Sequence, residues 1–372
     1  MFNLKQYDFK RYNIILIMII LVLGVIGAYL IRQVKPELFM KQLVGLAGAV
    51  VMVVILSLID YHFICSFYIV LYMLNIVLLV LTRLIGISRY HAQRWLDLKV
   101  TEFQPSELTK IILIIFAAKL FTIFRQKINK AWVLILSAVL IALPTLLILM
   151  QPNLSTSLVI AFIFVIMIFA AGLSWKIILP ILIIGIPSVY GFFWYVQQDY
   201  QVILHDYQQE RVLSILHPEL YPDIMYQQDN SVIAIGSGQL YGKVLGNNED
   251  ESRNYDKIPV SESDFIFSVA GEEFGFIGGC VIIGLYAVII YICLMTAKKA
   301  PDYMGMLIAI GIASMFMFQL FVNVGVATSI LPNTGIPLPF LSQGLSSMVS
   351  GMLGVGIILN IRLQPKLARG RG

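Results

Sequence analysis

The chain has few charged residues and a large excess of apolar ones. Of its 372 residues, 13% are charged and 59% are hydrophobic, whereas a soluble globular domain is about 25% charged and roughly 45–50% apolar. The mean hydropathy of +0.86 agrees with this imbalance. Such a composition excludes an ordinary soluble protein and predicts a polytopic membrane protein.

Cysteine is also scarce, and the excess of positive charge is small. Cys65, Cys280 and Cys293 do not provide a disulfide framework. Cys280 and Cys293 lie in one apolar run, about 20 Å apart along a helix, so they cannot bond to each other. The net charge of +5 is too small on a membrane chain to indicate a nucleic-acid partner.

Ten apolar runs, bounded by charged residues or by proline and glycine, are predicted to be transmembrane helices. The runs lack the period-2 alternation of a β-barrel, so the predicted fold class is all-α. The first run is followed by Arg32 without a small-residue cleavage site, which favours a retained span over a signal peptide. The predicted spans are residues 14–31, 43–59, 64–82, 105–123, 132–150, 155–173, 176–196, 264–297, 303–323 and 343–361.

The distribution of lysine and arginine predicts the orientation of these spans. With the N-terminus inside, the cytoplasmic segments carry 14 basic residues and the short outer loops carry 8, which follows the positive-inside rule. Both termini are therefore predicted to be cytoplasmic. The segment 197–263, between the seventh and eighth helices, is predicted to be a large extracellular loop of a single membrane domain that covers 1–372.

The eighth predicted span, residues 264–297, is too long for one crossing. Its 34 residues would form a helix about 50 Å long, against a hydrocarbon core about 30 Å thick. The first turns contain Glu272, Glu273 and several glycines. We therefore expect these turns in the outer interface and the lipid-embedded part to begin near Phe276.

Charged residues lie at the predicted outer end of the fourth span. Pro105 suits the first helical turn, where Glu107 complements the helix dipole and pairs with Lys110 at i+3. A capped helix with one ion pair is a complete structural explanation. However, such charges are costly near a membrane unless they face a polar cavity or a ligand. Arg94 and Lys110 also place positive charge where the topology disfavours it, which an anionic ligand would explain.

Three further polar segments fall on the same predicted face. Residues 151–157 are predicted to form a tight turn in which Ser or Thr caps the next helix. Asp264 is either the N-cap of the eighth span or a general base for a bound hydroxyl. Residues 331–347 contain three prolines, which predict a rigid or re-entrant loop followed by a Ser-capped helix start or an anion site. The convergence of four polar segments favours a site on this face.

The order of these motifs resembles the SEDS family, which includes RodA, FtsW and SpoVE, and the chain looks most similar to RodA. The resemblance covers essentially the whole chain. It departs from the family pattern at Asn153, Ser155, Ser329 and within Ser342–Ser347, but not at Asp264. The segments that carry the resemblance are Arg94-Trp95, Gln104–Lys110, Gln151–Ser157, Ser263–Phe276, Asn323 and Leu331–Ser347.

The resemblance implies a peptidoglycan glycosyltransferase of the bacterial plasma membrane that polymerises lipid II, an undecaprenyl-pyrophosphate disaccharide-pentapeptide, on the extracytoplasmic face. The essential carboxylate of the family matches Asp264. A class B penicillin-binding protein transpeptidase and other elongation or division machinery are the implied partners. No cofactor is required by the sequence, although Mg²⁺ or Mn²⁺ could assist. The predicted substrate-binding residues are Arg94, Trp95, Gln104, Ser106, Glu107, Lys110, Gln151, Asn153, Thr156, Arg211, Lys243, Ser342, Gln343, Ser346 and Ser347.

Two other functions stay open from the sequence. A lipid II flippase would need charged residues along its spans at mid-bilayer, and few are found there. A non-catalytic scaffold for the penicillin-binding protein is disfavoured by the intact segment around Asp264.

Overall fold

A computed structural model describes residues 7–89, 92–97, 102–198, 201–202, 209–210, 212–214, 217–245 and 252–364. The helices in this part of the chain are α1 (Ile14–Val34), α2 (Pro36–Ser57), α3 (Tyr61–Ser66), α4 (Tyr68–Ile85), α5 (Pro105–Ile123), α6 (Ala131–Leu149), α7 (Leu154–Ala170), α8 (Trp175–Val196), α9 (Pro222–Ser237), α10 (Gly242–Leu245), α11 (Ile266–Lys299), α12 (Tyr303–Ala327) and α13 (Leu345–Leu363). The strands are β1 (Ile87–Arg89), β2 (Ala92–Asp97) and β3 (Glu102–Phe103). Short 3-10 helices span Phe9–Arg11, Arg125–Lys127, Pro218–Leu220 and Asn254–Lys257.

Each predicted span corresponds to one long helix. The agreement is complete for α5, whose observed bounds are those predicted from the apolar run. Helix α2 begins at Pro36, earlier than predicted, because Pro36 and Glu37 form a regular first turn before the apolar run starts. By length and composition, seven helices in the described residues could cross a membrane: α1, α2, α4, α6, α11, α12 and α13. The polytopic helical membrane fold is confirmed, whereas ten crossings stay a prediction.

The chain forms two compact units. The first unit comprises Met1–Gly172, Ile283–Leu320 and Pro339–Gly372, and the second comprises Leu173–Ile282 and Phe321–Leu338. The prediction of a single membrane domain stays a prediction. Each unit is described by itself below.

Helix α5 lies at the centre of the first unit. Its side chains are buried on every side of the helix, and it packs against α4, α7 and α13. By contrast, α2, α4 and α6 expose apolar residues such as Val51, Val77 and Ile135. This distribution suits a membrane protein, in which outer helices present apolar side chains to lipid and inner helices can carry polar ones.

A small antiparallel sheet precedes α5 in the first unit. Its strand order is β1-β2-β3. Trp95 on β2 lies opposite Ile87 on β1, and Leu96 lies opposite Phe103 on β3. Because β3 ends next to the start of α5, this sheet holds the Arg94-Trp95 pair close in sequence and space to the first turn of that helix.

In the second unit, α11 is interrupted at Gly275. This residue has φ 66° and ψ −167°, a conformation outside the helical region that glycine tolerates. A Cβ atom at this position would clash with the backbone nitrogen of Gly242. Beyond the break, the amides of Phe276 and Ile277 donate to the carbonyls of Gln239 and Leu240 at 2.9 and 3.1 Å. The break falls where we expected the lipid-embedded part to begin.

A cluster around His62 joins α3 to the loop between α11 and α12 in the first unit. Nδ1 of His62 lies 2.9 Å from Oδ1 of Asp60, and Nε2 lies 2.6 Å from Oδ2 of Asp302. Gln364 donates a further hydrogen bond to Asp60 at 2.7 Å. Because carboxylates only accept, both ring nitrogens can donate only when His62 is the doubly protonated imidazolium.

This cluster predicts a pH-dependent stability. Burial lowers the pKa of His62, but the hydrogen bonds and charges of Asp302 and Asp60 outweigh burial and raise it above 6.5. Burial raises the pKa values of Asp60 and Asp302, but hydrogen bonds from His62 and neighbouring groups outweigh burial and lower them below 3.8. The cluster therefore stabilises the fold fully between about pH 4 and 6.5 and loses this contribution as the pH rises through the folded-state pKa of His62.

We expect the Tm difference between wild type and His62→Gln to be largest near pH 6 and to shrink towards about pH 9. Thermal unfolding of both purified proteins across this range measures it. A Tm difference that stays constant or grows with pH would contradict the imidazolium assignment.

Candidate active site

Buried and half-buried polar residues from four segments of the first unit meet around the start of α5. We call this group the α5 cluster. Its members come from β2, the first turns of α5, the α6–α7 turn and the start of α13, and three of the four polar segments of the sequence contribute to it. The members are Arg94, Gln104, Ser106, Glu107, Lys110, Gln151, Asn153, Thr156, Ser346 and Ser350.

The predicted ion pair between Glu107 and Lys110 is present. Lys110 Nζ lies 2.8 Å from Glu107 Oε2, and the two residues are 2% and 4% exposed. Pro105 occupies the first helical position, as the sequence predicted. Ser350 donates to the backbone oxygen of Glu107 at 2.7 Å. The pair is thus desolvated, unlike a surface pair that contributes little to stability.

Arg94 stabilises the turn between α6 and α7. Its Nε donates to the backbone oxygen of Gln151 at 3.3 Å, and Nη2 donates to the backbone oxygen of Pro152. Gln151 is fully buried, and its Nε2 donates to the backbone oxygen of Leu79 at 2.9 Å. Oε1 of Gln151 has no hydrogen-bond partner among the described residues.

Asn153 is the N-cap of α7. Its Oδ1 accepts from the backbone nitrogen of Thr156 at 3.2 Å, and its Nδ2 donates to the hydroxyl of Ser106 at 3.3 Å. The predicted Ser or Thr cap is therefore wrong, because the asparagine before these hydroxyls fills the role. The same side chain also connects α7 to the first turn of α5.

The start of α13 differs from the Ser-capped helix that the sequence allowed. The N-cap is Gly344, and no side chain caps it. Ser346 instead accepts a hydrogen bond from the backbone nitrogen of Gln104 at 3.0 Å. Ser347 is buried, and its hydroxyl has no hydrogen-bond partner among the described residues. The alternative, an anion site at this helix start, stays a prediction.

The remaining predicted residues of the first unit are Trp95, Ser342 and Gln343, which lie outside the α5 cluster. Trp95 on β2 and Gln343 before α13 are half-buried. Ser342 is buried, and its backbone oxygen accepts from Nε2 of Gln42 at 3.4 Å.

A small, mostly apolar cavity of about 10 Å³ lies beside Lys110 in the first unit. Among its described lining residues Lys110 alone is charged, and the space holds no more than about one water molecule. Its lining residues come from α5, α6 and α7: Lys110, Leu113, Ala117, Ile141, Ile160, Ile163, Phe164 and Met167.

Asp264 lies in the second unit, in a turn that ends just before α11. The helix begins at Ile266, so Asp264 is not its N-cap, and that structural explanation is wrong. The carboxylate is half-buried, and its Oδ1 accepts from the hydroxyl of Ser263 at 3.1 Å. The backbone oxygen of Asp264 accepts from Nδ2 of Asn323 at 2.9 Å. A half-buried carboxylate in an ordered turn suits a general base.

Lys243 was predicted to bind substrate, but its ammonium is buried on a carboxylate of the second unit. Lys243 Nζ lies 2.7 Å from Glu272 Oε1, and the side chains are 5% and 0% exposed. It also donates to the backbone oxygen of Ser252 at 2.9 Å. A substrate pyrophosphate would have to compete with Glu272, so this geometry does not favour the predicted role.

Glu273 anchors the segment before Asp264 in the same way. Its Oε1 lies 2.8 Å from Arg253 Nε and accepts from the hydroxyl of Tyr255, also at 2.8 Å. Burial, together with the Glu273 carboxylate, raises the pKa of Tyr255 well above its usual range, so the phenol stays protonated and donates. Glu272 accepts from the backbone nitrogen of Tyr255 at 2.9 Å. Both acids are therefore structural rather than available for chemistry.

The structure thus brings together most of the predicted residues of the first unit, and it places Asp264 and Lys243 in the second. Arg211 lies outside the described residues. The sequence analysis did not identify the contributions of Ser350, Arg253 and Tyr255, because their partners are far away in the chain. Among the described residues, no group of three or more His, Cys, Asp or Glu side chains could hold a metal ion. The assisting divalent cation stays a prediction.

The family model described as "Cell cycle protein", which covers FtsW, RodA and SpoVE, matches residues 9–367. The chain belongs to the FtsW/RodA/SpoVE family. This finding confirms the resemblance stated from the motifs.

Individual relatives agree with the family assignment. MrdB of Escherichia coli K12, named a peptidoglycan glycosyltransferase, is 34% identical over 300 residues, which cover 80% of this chain and 78% of MrdB. FtsW of Trichlorobacter lovleyi, named a probable peptidoglycan glycosyltransferase, is 33% identical over 384 residues, which cover 98% of this chain and 96% of that FtsW. A solved structure of a peptidoglycan synthase complex, described as coordinating polymerization and crosslinking, is 27% identical with a TM-score of 0.78 and covers 96% of this chain and 97% of its own.

The buried pair of the α5 cluster predicts an asymmetric mutational effect. We expect Lys110→Met to lower the free energy of unfolding by about 3–5 kcal/mol, because Glu107 is left as an unpaired buried charge. The double variant Glu107→Gln/Lys110→Met removes both charges and should recover much of this loss. Unfolding of the purified proteins in detergent measures both effects. A double variant less stable than Lys110→Met would show that the pair is not buried as described.

Proposed function

We propose that this chain is a peptidoglycan glycan-strand polymerase that uses lipid II and that Asp264 is its catalytic base. Family membership over residues 9–367 and relatives named peptidoglycan glycosyltransferases support the activity. The observation that carries the choice of base is the contrast among the acids of one segment. Glu272 and Glu273 are buried against cationic side chains, whereas the Asp264 carboxylate is half-buried.

In the proposed reaction, Asp264 accepts the proton of the 4-hydroxyl on the acceptor lipid II. The hydroxyl oxygen attacks the anomeric carbon of the lipid-linked growing glycan and forms the new glycosidic bond. The bond between that carbon and the phosphate oxygen breaks, and undecaprenyl pyrophosphate leaves with its negative charge. Attack opposite the leaving group inverts the anomeric configuration, and inverting glycoside chemistry generally uses such a carboxylate base.

The departing pyrophosphate requires positive charge and hydrogen-bond donors. Of the two predicted cations in the first unit, Arg94 is half-buried, whereas Lys110 is buried on Glu107. A pyrophosphate would have to compete with Glu107 for the Lys110 ammonium, just as it would with Glu272 for Lys243. Arg94 acts on the same cluster by ordering the α6–α7 turn through the carbonyls of Gln151 and Pro152. The remaining predicted binding residues stay part of the proposal.

The proposed setting is the bacterial plasma membrane, with the active site on the extracytoplasmic face. The distribution of lysine and arginine supports this orientation. The proposed partner is a class B penicillin-binding protein that crosslinks the new strand, within elongation or division machinery. The likeness to a synthase complex described as coordinating polymerization and crosslinking supports such a partner. A divalent cation remains a proposal, and no step above depends on it.

The role of Asp264 can be tested with a matched carboxylate variant. Asp264→Asn keeps the size of the side chain but removes the base, and Asp256→Asn makes the same change at an exposed carboxylate of the second unit. We expect the first variant to lose polymerisation of labelled lipid II by at least about 10²-fold, and the second to retain it. Both should unfold at the wild-type temperature. The assay includes the purified protein with and without its penicillin-binding partner.

Polymer formation by Asp264→Asn at the wild-type rate would discard Asp264 as the base while keeping the enzyme. No polymer from wild type with its partner would instead favour the flippase or scaffold alternatives. Translocation of labelled lipid II across vesicles then distinguishes these two.

A further inference from the structure

Asn323 connects the backbone of Asp264 to the proline-rich loop within the second unit. The side chain, near the end of α12, is 1% exposed. Its Nδ2 donates to the backbone oxygen of Asp264 at 2.9 Å and to the backbone oxygen of Ile336 at 2.8 Å. One amide nitrogen therefore joins three segments: the end of α12, the turn before α11 and the loop after α12.

The chemistry of Asn323 fits this role closely. Both of its acceptors are carbonyls, so only an –NH₂ group can satisfy them together. The opposite amide atom, Oδ1, is buried without a hydrogen-bond partner among the described residues. A flipped amide would place this oxygen against two carbonyl oxygens, which is unfavourable. The orientation of Asn323 is thus determined by the two backbone groups that it holds.

Gly335 approaches the carboxylate of Asp264 from the same loop. Its φ of +69° lies in the left-handed region that glycine adopts readily. A Cβ atom at this position would lie 3.0 Å from Asp264 Oδ2. Pro332 and Pro337 flank Gly335 and restrict the loop backbone. Asp264 is therefore constrained twice, at its backbone oxygen by Asn323 and beside its carboxylate by Gly335.

We propose that Asn323 and Gly335 are positioning residues that hold the Asp264 carboxylate in its reactive orientation. The inference rests on the proposed function of Asp264 as the base. Neither residue takes part in the chemistry itself. Asn323 fixes where the Asp264 backbone lies, and Gly335 leaves the space that the carboxylate occupies. Because a reacting group must be held within a fraction of an ångström, a displacement of about 1 Å can lower a rate by about 10²-fold.

The decisive variant is Asn323→Asp, which keeps the side-chain size but replaces the donor with an acceptor. Gln228→Glu is its matched control, since Nε2 of this buried residue also donates to two backbone oxygens, those of Val326 and Leu331, at 3.1 and 2.7 Å. The hydrogen bonds of both residues lie in the second unit, but only Asn323 donates to Asp264. Gly335→Ala perturbs the carboxylate from the other side.

The experiment measures kcat and KM for labelled lipid II, together with Tm, for the full chain with its partner. We expect Asn323→Asp and Gly335→Ala to lower kcat by about 10²-fold while KM changes little. Gln228→Glu should keep kcat near wild type, even where its Tm falls as far as that of Asn323→Asp. If Asn323 and Gly335 served only stability, the loss of kcat would follow the loss of Tm in the same way in all three variants.

The inference is overturned if both Asn323→Asp and Gly335→Ala retain the wild-type kcat, or if Gln228→Glu loses as much kcat as Asn323→Asp. These outcomes leave the proposed function intact, because wild type still forms polymer. A wild-type protein that forms no polymer refutes the proposed function, and the positioning role falls with it. Should Asn323→Asp fail to fold, Gly335→Ala alone decides between the two roles.

Discussion

The ion pair between Glu107 and Lys110 is the constraint on which the first unit depends. Two charges removed from water cost several kcal/mol each unless they neutralise one another and their hydrogen bonds are completed. Both side chains lie on α5, the helix that is buried on every side. Two neighbouring elements contact the turns that carry this pair: Asn153 donates to the hydroxyl of Ser106, and Ser350 donates to the backbone oxygen of Glu107. The α6–α7 turn and α13 thus meet at the helical turns that bury the pair.

The second unit follows the same rule with different partners. Glu272 and Glu273 lie on the first part of α11, where an apolar helix would otherwise be expected, and each is matched by a cation from the segment before it. Those pairs hold the residues around 252–257 against the helix. Asp264 lies a few residues after this segment in the chain, in the turn that precedes α11. The buried carboxylates of Glu272 and Glu273 therefore hold the backbone of the preceding segment in place.

Local features of the sequence were predictable because they depend on neighbours in the chain. Three features follow from short spacing in the chain. They are Pro105 at the start of α5, the pairing of Glu107 with Lys110 three residues further on, and the absence of helix in the proline-rich loop. The helix N-caps were less predictable, because several nearby polar residues could fill each one. Asn153 and Gly344, not the neighbouring serines or threonines, are the N-caps of α7 and α13.

Contacts between distant segments could not be read from spacing at all. Arg94 with the carbonyl of Gln151, and Lys243 with Glu272, join residues whose separation in the chain carries no periodic signal. Lys243 was predicted to bind substrate, a role that its burial on the Glu272 carboxylate does not favour. The family resemblance identified Asp264, but only the structure shows which groups hold its backbone and border its carboxylate.

The interruption of α11 at Gly275 also changes how this helix opens. In a continuous helix, the amides of Phe276 and Ile277 would exchange their hydrogens only when the preceding turn unwinds. Here they are bonded to Gln239 and Leu240, so their exchange with solvent reports the detachment of that turn instead. Amide exchange at two positions of one helix therefore measures the local stability of a segment more than thirty residues earlier in the chain.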